Sequence, residues 1–146
     1  MAQSRLGQLF RLANLAVLPG WLLMIFAPNS RWTRRVTESD VFFLGMGGLY
    51  AAMLGRASKD NPAALAELRN PTLEGIGGLF RQPEGVFAGW VHYLAFDLMI
   101  GRTILRDAQQ RGIPHALVVP ALVMTLMTGP LGLAYYRLLV RLRGER

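Results

Sequence analysis

Cysteine is absent from this 146-residue chain. That excludes disulfides, a thiolate nucleophile and any cysteine-ligated metal centre. Acidic side chains are scarce, 9 against 16 basic ones, and lysine is nearly missing, since 15 of the basic residues are arginine. Histidine occurs only at His92 and His115. The two have no ligand spacing, so a metal site drawn from His92, His115, Asp97 and Glu84 is not expected. No phosphate-cradling loop and no nucleophile elbow occur; the glycines of LGMGGLYAA lie inside an apolar run and follow no strand. No basic stripe is interleaved with aromatics, so nucleic acid is not an expected partner despite a pI near 11.0. No cofactor is implied.

What the chain does have is apolar length. Hydrophobic residues make up 52% of it and the mean hydropathy is +0.29. Four runs, 12–28, 41–55, 85–101 and 113–140, stand between charged segments. A membrane-spanning helix needs about 20 predominantly apolar residues. The first, third and fourth runs meet or approach that length. The second, bounded by Asp40 and Arg56, needs snorkelling ends or a locally thinned bilayer. A soluble helical bundle is the alternative, but it needs polar faces that these runs scarcely offer. The expected fold is therefore all-α: an integral membrane bundle of four transmembrane helices in one domain, 1–146. A short amphipathic segment is expected between helices two and three.

The amino terminus does not read as a cleaved signal peptide, because Arg11 interrupts the start of the apolar run and no small-x-small site follows cleanly. Helix one is expected over 6–28, kinked at Pro19. Trp21 and Trp32 suit an interface or a packed groove. Helix two follows Ser39 or Asp40 as N-cap. Its Gly47, Ala51 and Gly55, flanked by Gly48 and Ala52, recur at a spacing that lets a second backbone approach closely. Packing is the expected use, and a homo-oligomer is compatible with it.

In the connection 57–84, Asn61-Pro62 reads as the start of a short helix over 63–69, broken at Asn70-Pro71. Leu73, Ile76, Leu79 and Phe80 then recur at helical spacing, weakened by Gly75, Gly77 and Gly78. Helix three is expected over 83–106. Helix four, after Gly112-Ile113-Pro114, carries Pro120 and Pro130 and is most irregular at TGPLG, 128–132. Tyr135, Tyr136 and Arg137 suit an interfacial anchor. Four crossings would put ten basic residues on the side of the termini and six on the other. Both termini would then be cytoplasmic, in a bacterial inner membrane.

The stretch GWVHYLAFDLMIGR, 89–102, is the most informative one. It places His92, Asp97 and Arg102 on one apolar helix. Ionisable groups at membrane depth are costly and usually mark function. Trp90, Tyr93, Asp97 and Gly101 share one face, with His92, Met99, Arg102 and Arg106 on a neighbouring one. A buried carboxylate can give or take a proton near neutral pH, and His92 is its potential complement. The plainer reading is that Asp97 pairs with Arg102, Arg34 or Arg35, or accepts from Tyr93, and holds helices in register.

This stretch, followed by a charged turn, GIP, and a helix carrying LMTGPLGL, resembles the abscisic-acid-deficient-four-like family. The resemblance extends from Leu12 to Leu139 and includes GLYAAML. It implies a four-span membrane protein linked, in plants, to converting the epoxide carotenoid violaxanthin into allenic neoxanthin, acting as the isomerase or as its accessory. That isomerisation removes one proton from the polyene end and delivers one to the opening epoxide oxygen. It needs an acid and a base in an apolar slot and no redox cofactor. By the resemblance, Asp97 is the proton donor or acceptor, His92 its complement and Arg102 an electrostatic anchor. Trp90, Tyr93 and Phe96 are the substrate-facing aromatics. Membrane lipid and a carotenoid or other isoprenoid are the expected partners. A noncatalytic protein that binds lipid or pigment, or assists a membrane complex, is the competing reading. A proton path through Asp97 is a third, weakened by the single strong intramembrane acid.

Overall fold

The computed structural model describes residues 5–60, 62–63 and 71–144. The elements among them are helices: α1 (Arg5–Phe26), α2 (Arg31–Thr37), α3 (Asp40–Asp60), α4 (Leu73–Leu79), α5 (Pro83–Gln110), α6 (His115–Thr128) and α7 (Pro130–Gly144). The all-α expectation holds in this respect. The short helix expected over 63–69 lies outside the described residues beyond Ala63. Among the described residues, two stretches, Arg5–Phe26 and Arg31–Lys59, are long and apolar enough to cross a membrane. The α6 helix is apolar but only 14 residues long.

The chain forms two compact units, Met1–Ala13 with Asp40–Tyr93, and Asn14–Ser39 with Leu94–Arg146. Both α1 and α5 begin in the first unit and end in the second.

In the first unit, α4 forms despite its glycines because Thr72 caps it. The Thr72 hydroxyl accepts from the Gly75 N–H at 3.0 Å, replacing one of the partners a helix start lacks. Leu79, at its end, is buried with Ala57 of α3. The first turns of α5 pass close by: Gly85 lies against the Leu79 carbonyl, and a Cβ at Gly89 would fall 2.5 Å from the Phe80 ring. The glycines of the small-residue stripe of α3 meet no other element among the described residues of the chain. Gly47, Gly48 and Gly55 are exposed and have open space where a Cβ would stand.

In the second unit, α1 and α5 meet through glycine. A Cβ at Gly20 would stand 2.9 Å from Leu98, and one at Gly101 2.7 Å from Trp21 and 3.1 Å from Met24. Trp21 is thus a core residue, 2% exposed, whereas Trp32 is 51% exposed. Pro19 sits inside α1 without ending it. Ser30 caps α2 by accepting from the Trp32 N–H at 3.1 Å. Thr33 donates to the Ala27 carbonyl at 2.5 Å, which ties α2 to the end of α1, and Thr37 donates to the Thr33 carbonyl within α2 at 2.7 Å.

The fourth apolar run is not one span. It breaks at Gly129, whose φ of +58 and ψ of −92 suit only glycine. Pro130 then opens α7 at the helix position where its missing N–H costs least. Gly132 packs against Thr125 and the Ala121 carbonyl, so the two arms form a tight hairpin. Midway along α7 the Tyr136 hydroxyl ties this arm to α5 by donating to Asp107 Oδ2 at 2.6 Å. Arms of 14 and 15 residues rise about 21–23 Å, short of the roughly 30 Å hydrocarbon core. Of the four expected crossings, two have helices long and apolar enough among the described residues, and the fourth run is a hairpin of short arms, so the placement of both termini on one side does not follow from it. Helix three also runs on to Gln110.

Candidate functional site

Asp97 lies midway along α5, and the break between α6 and α7 is built against it. A Cβ on Gly129 would stand 2.8 Å from Asp97 Oδ1 and 3.3 Å from Oδ2. Oδ2 is sealed from solvent. The carboxylate therefore fills the space a side chain at position 129 would need, at the residue that both caps the end of α6 and precedes α7. Thr125, fully buried one turn before the break, donates its hydroxyl to the Ala121 carbonyl at 2.8 Å. A carboxylate held in this way can take a proton from, or return one to, a group brought against it.

Arg102, five residues further along α5, belongs to the same unit. Its Nη1 donates to the Thr37 carbonyl at the end of α2 at 3.2 Å, and its Nε is sealed from solvent. A cation there satisfies a carbonyl that the helix leaves open. Phe96, also in this unit, is 51% exposed.

His92, Trp90 and Tyr93 belong to the first unit. His92 is exposed, its ring 5.9 Å from that of Tyr50. Trp90 and Tyr93 stack at 5.2 Å, and Phe10 of α1 joins Trp90 at 5.9 Å and Phe87 at 5.4 Å. Next to this aromatic row, Leu6, Gly7, Phe10, Val86 and Phe87 line an apolar groove of about 380 Å³ with Arg81 and Pro83. None of the aromatics singled out from the sequence lines that groove. Phe87 was within reach of sequence reasoning, one turn before Trp90. Phe10 was not, because only folding brings α1 to α5.

Sequence reasoning also missed a polar cluster at the other end of α5. Asp107 Oδ2 accepts from Tyr136 at 2.6 Å and from Arg111 Nε at 2.7 Å. The Arg111 hydrogen bond, then that of Tyr136, holds the Asp107 carboxyl below its usual range. Burial, then the Asp107 hydrogen bond, pushes the Tyr136 phenol up. The i,i+4 spacing of Asp107 and Arg111 was visible in the sequence; the partnership with Tyr136 was not. His115 bonds through Nε2 to the Ile25 carbonyl at 2.9 Å. Among the described residues, no three His, Asp or Glu side chains gather as a metal would need.

No solved structure matches the chain. A relative from Arabidopsis thaliana, protein ABA DEFICIENT 4, chloroplastic, is 29% identical over 112 residues. The match covers 73% of this chain but only 50% of the relative, so the chain spans about half that protein's length. The sequence pattern of the ABA DEFICIENT 4-like family matches residues 8–136. GWVHYLAFDLMIGR, with Asp97 sealed at Oδ2, and the TGPLG break beside it both fall inside that match, and the chain belongs to the ABA DEFICIENT 4-like family.

Proposed function

We propose that this chain is an integral membrane protein of carotenoid metabolism that isomerises an epoxy-xanthophyll-type substrate, with Asp97 as its acid/base group. The observation that carries the reading is the Asp97 carboxylate, sealed at Oδ2 and pressed against the backbone break at Gly129 in an otherwise apolar stretch of α5. In the proposed reaction the epoxide C–O bond opens, its oxygen gains a proton, and the polyene end loses one as the allene forms. Atoms and electrons balance without a redox partner. Asp97 moves the proton, His92 complements it, Arg102 anchors charge, and Trp90, Tyr93 and Phe96 receive the polyene.

Membrane residence is supported by outward-facing apolar side chains that a soluble surface would not carry so densely. Leu12, Leu15, Leu22 and Phe26 on α1 are 55–79% exposed, and Val41 and Leu44 on α3 are 79% and 74% exposed. The bacterial inner membrane is the location we propose.

A second reading has its own observation. Because Asp97 meets Gly129 where α7 begins, it can serve as a cap that holds the hairpin on α5, in a protein that binds lipid or pigment without converting it.

Expression in a host that accumulates violaxanthin, followed by chromatography of extracted pigments, tests the first reading. The wild-type chain yields an isomer of unchanged mass and Asp97→Asn does not, at equal protein level. An isomer formed equally well by Asp97→Asn contradicts the catalytic role. No isomer from a well-expressed wild-type chain favours the noncatalytic reading.

A further inference from the structure

The hairpin of α6 and α7 redistributes the arginines of the second unit. An unbroken fourth helix would carry Arg137, Arg141 and Arg143 away from the Arg111 turn. The structure does the opposite. Tyr136 bonds the same Asp107 oxygen that Arg111 holds, and the neighbouring Arg137 acts electrostatically on Asp107. Arg141 and Arg143 follow on the same helix, about 7 and 10 Å beyond Tyr136.

The start of α2 lies at this end too. Gln109 Nε2 donates to the Pro28 carbonyl at 3.1 Å and to Asn29 Oδ1 at 3.0 Å, and Arg106 meets Glu38 at 3.5 Å. Between those ties stand Arg31, Arg34 and Arg35, all exposed. The guanidinium groups of Arg31 and Arg35 lie 5.4 and 5.5 Å from the Trp32 ring centre. An exposed tryptophan flanked by arginines is the side-chain chemistry of a membrane–water interface. Against these arginines stand the carboxylates of Glu38 and Asp107.

We propose that this arginine-rich end of the second unit is a docking surface for anionic phospholipid headgroups, and that α7 returns to the same side of the membrane as the Arg111 turn. The proposal rests on the membrane reading above. It does not depend on the reaction. Guanidinium forks bind phosphate oxygens in pairs, and several cations close to one surface add their attractions to an anionic leaflet. The hairpin also moves the bulk of the positive charge to this side, which makes it the cytoplasmic one.

Because the chain has no cysteine, single-cysteine labelling in sealed vesicles tests the topology without background. Gln110→Cys and Gly144→Cys are expected to react with an impermeant maleimide from the same side. Reaction from opposite sides would overturn the proposal. Native mass spectrometry of the detergent-purified full chain then tests the ligand. Phosphatidylglycerol is expected to bind in preference to phosphatidylcholine. The triple variant Arg137→Gln, Arg141→Gln, Arg143→Gln is expected to lose that preference by about tenfold or more. Equal retention of both lipids by the wild type, or an unchanged preference in the variant, would refute the docking surface. Recovery of the chain in the soluble fraction would defeat the membrane reading and this surface with it.

Discussion

The carboxylate of Asp97 occupies the space that a side chain at Gly129 would need: a single added carbon there would stand 2.8 Å from Oδ1. Two helices that need a glycine to part company do so against the one acid in the middle of α5. Gly129→Ala therefore meets two costs at once, a backbone conformation that L-residues rarely adopt and a collision with the carboxylate. We expect a loss of about 1–3 kcal/mol, read as a lowered thermal midpoint in detergent. An unchanged midpoint would mean that the break does not depend on this contact.

The middle of α7 is tied to α5 by Tyr136 and Asp107. Tyr136→Phe removes one hydrogen bond to a charged acceptor and leaves the ring packed. The expected cost is about 1.5–3 kcal/mol, and α7 should become more sensitive to proteolysis than α1. Equal sensitivity of both helices would show that α7 is held by packing alone.

Acid should loosen the same joint. The Asp107 carboxyl is held below its ordinary value of 3.8 by Arg111 and Tyr136. A carboxylate whose pKa is lower folded than unfolded adds stability above its unfolded pKa and loses it as pH falls through the folded one. The contribution is thus complete at neutral pH and fades below about pH 4. Asp107→Asn should flatten the acid limb of a stability–pH curve; an acid limb identical to that of the wild type would assign it to other carboxylates.

Much of this was legible in the chain. The helical class followed from apolar runs between charged segments, and the irregularity at TGPLG was visible because Gly and Pro interrupt a helix in known ways. The direction the chain takes after Gly129 was not visible. A bent continuing helix and a returning hairpin have the same local signals; Gly132 against Thr125 and Tyr136 against Asp107 decide between them. The aromatic cluster was half legible, since Trp90 and Tyr93 are one turn apart while Phe10 arrives only through folding. The glycine stripe of α3 has packing spacing, and no other element among the described residues of the chain fills it.

Glycine at 101 is a different matter, because there the neighbour is present. Trp21 lies where a side chain would go, and its ring has no flexible end to move. Gly101→Val should cost about 1–3 kcal/mol through overpacking. A smaller Trp21 partner, Trp21→Leu, should recover part of the loss in a double-mutant cycle. Strict additivity would mean that the two positions do not share the space.

The central claim is that Asp97 faces a ligand and does more than hold helices together. The most direct measurement is mass spectrometry of apolar molecules extracted from the detergent-purified chain, expressed in a carotenoid-producing host beside Asp97→Asn. A bound or newly modified carotenoid is expected in the wild type and changes in the variant, with both proteins equally folded. The same bulk lipid in both samples, and no carotenoid in either, would contradict it.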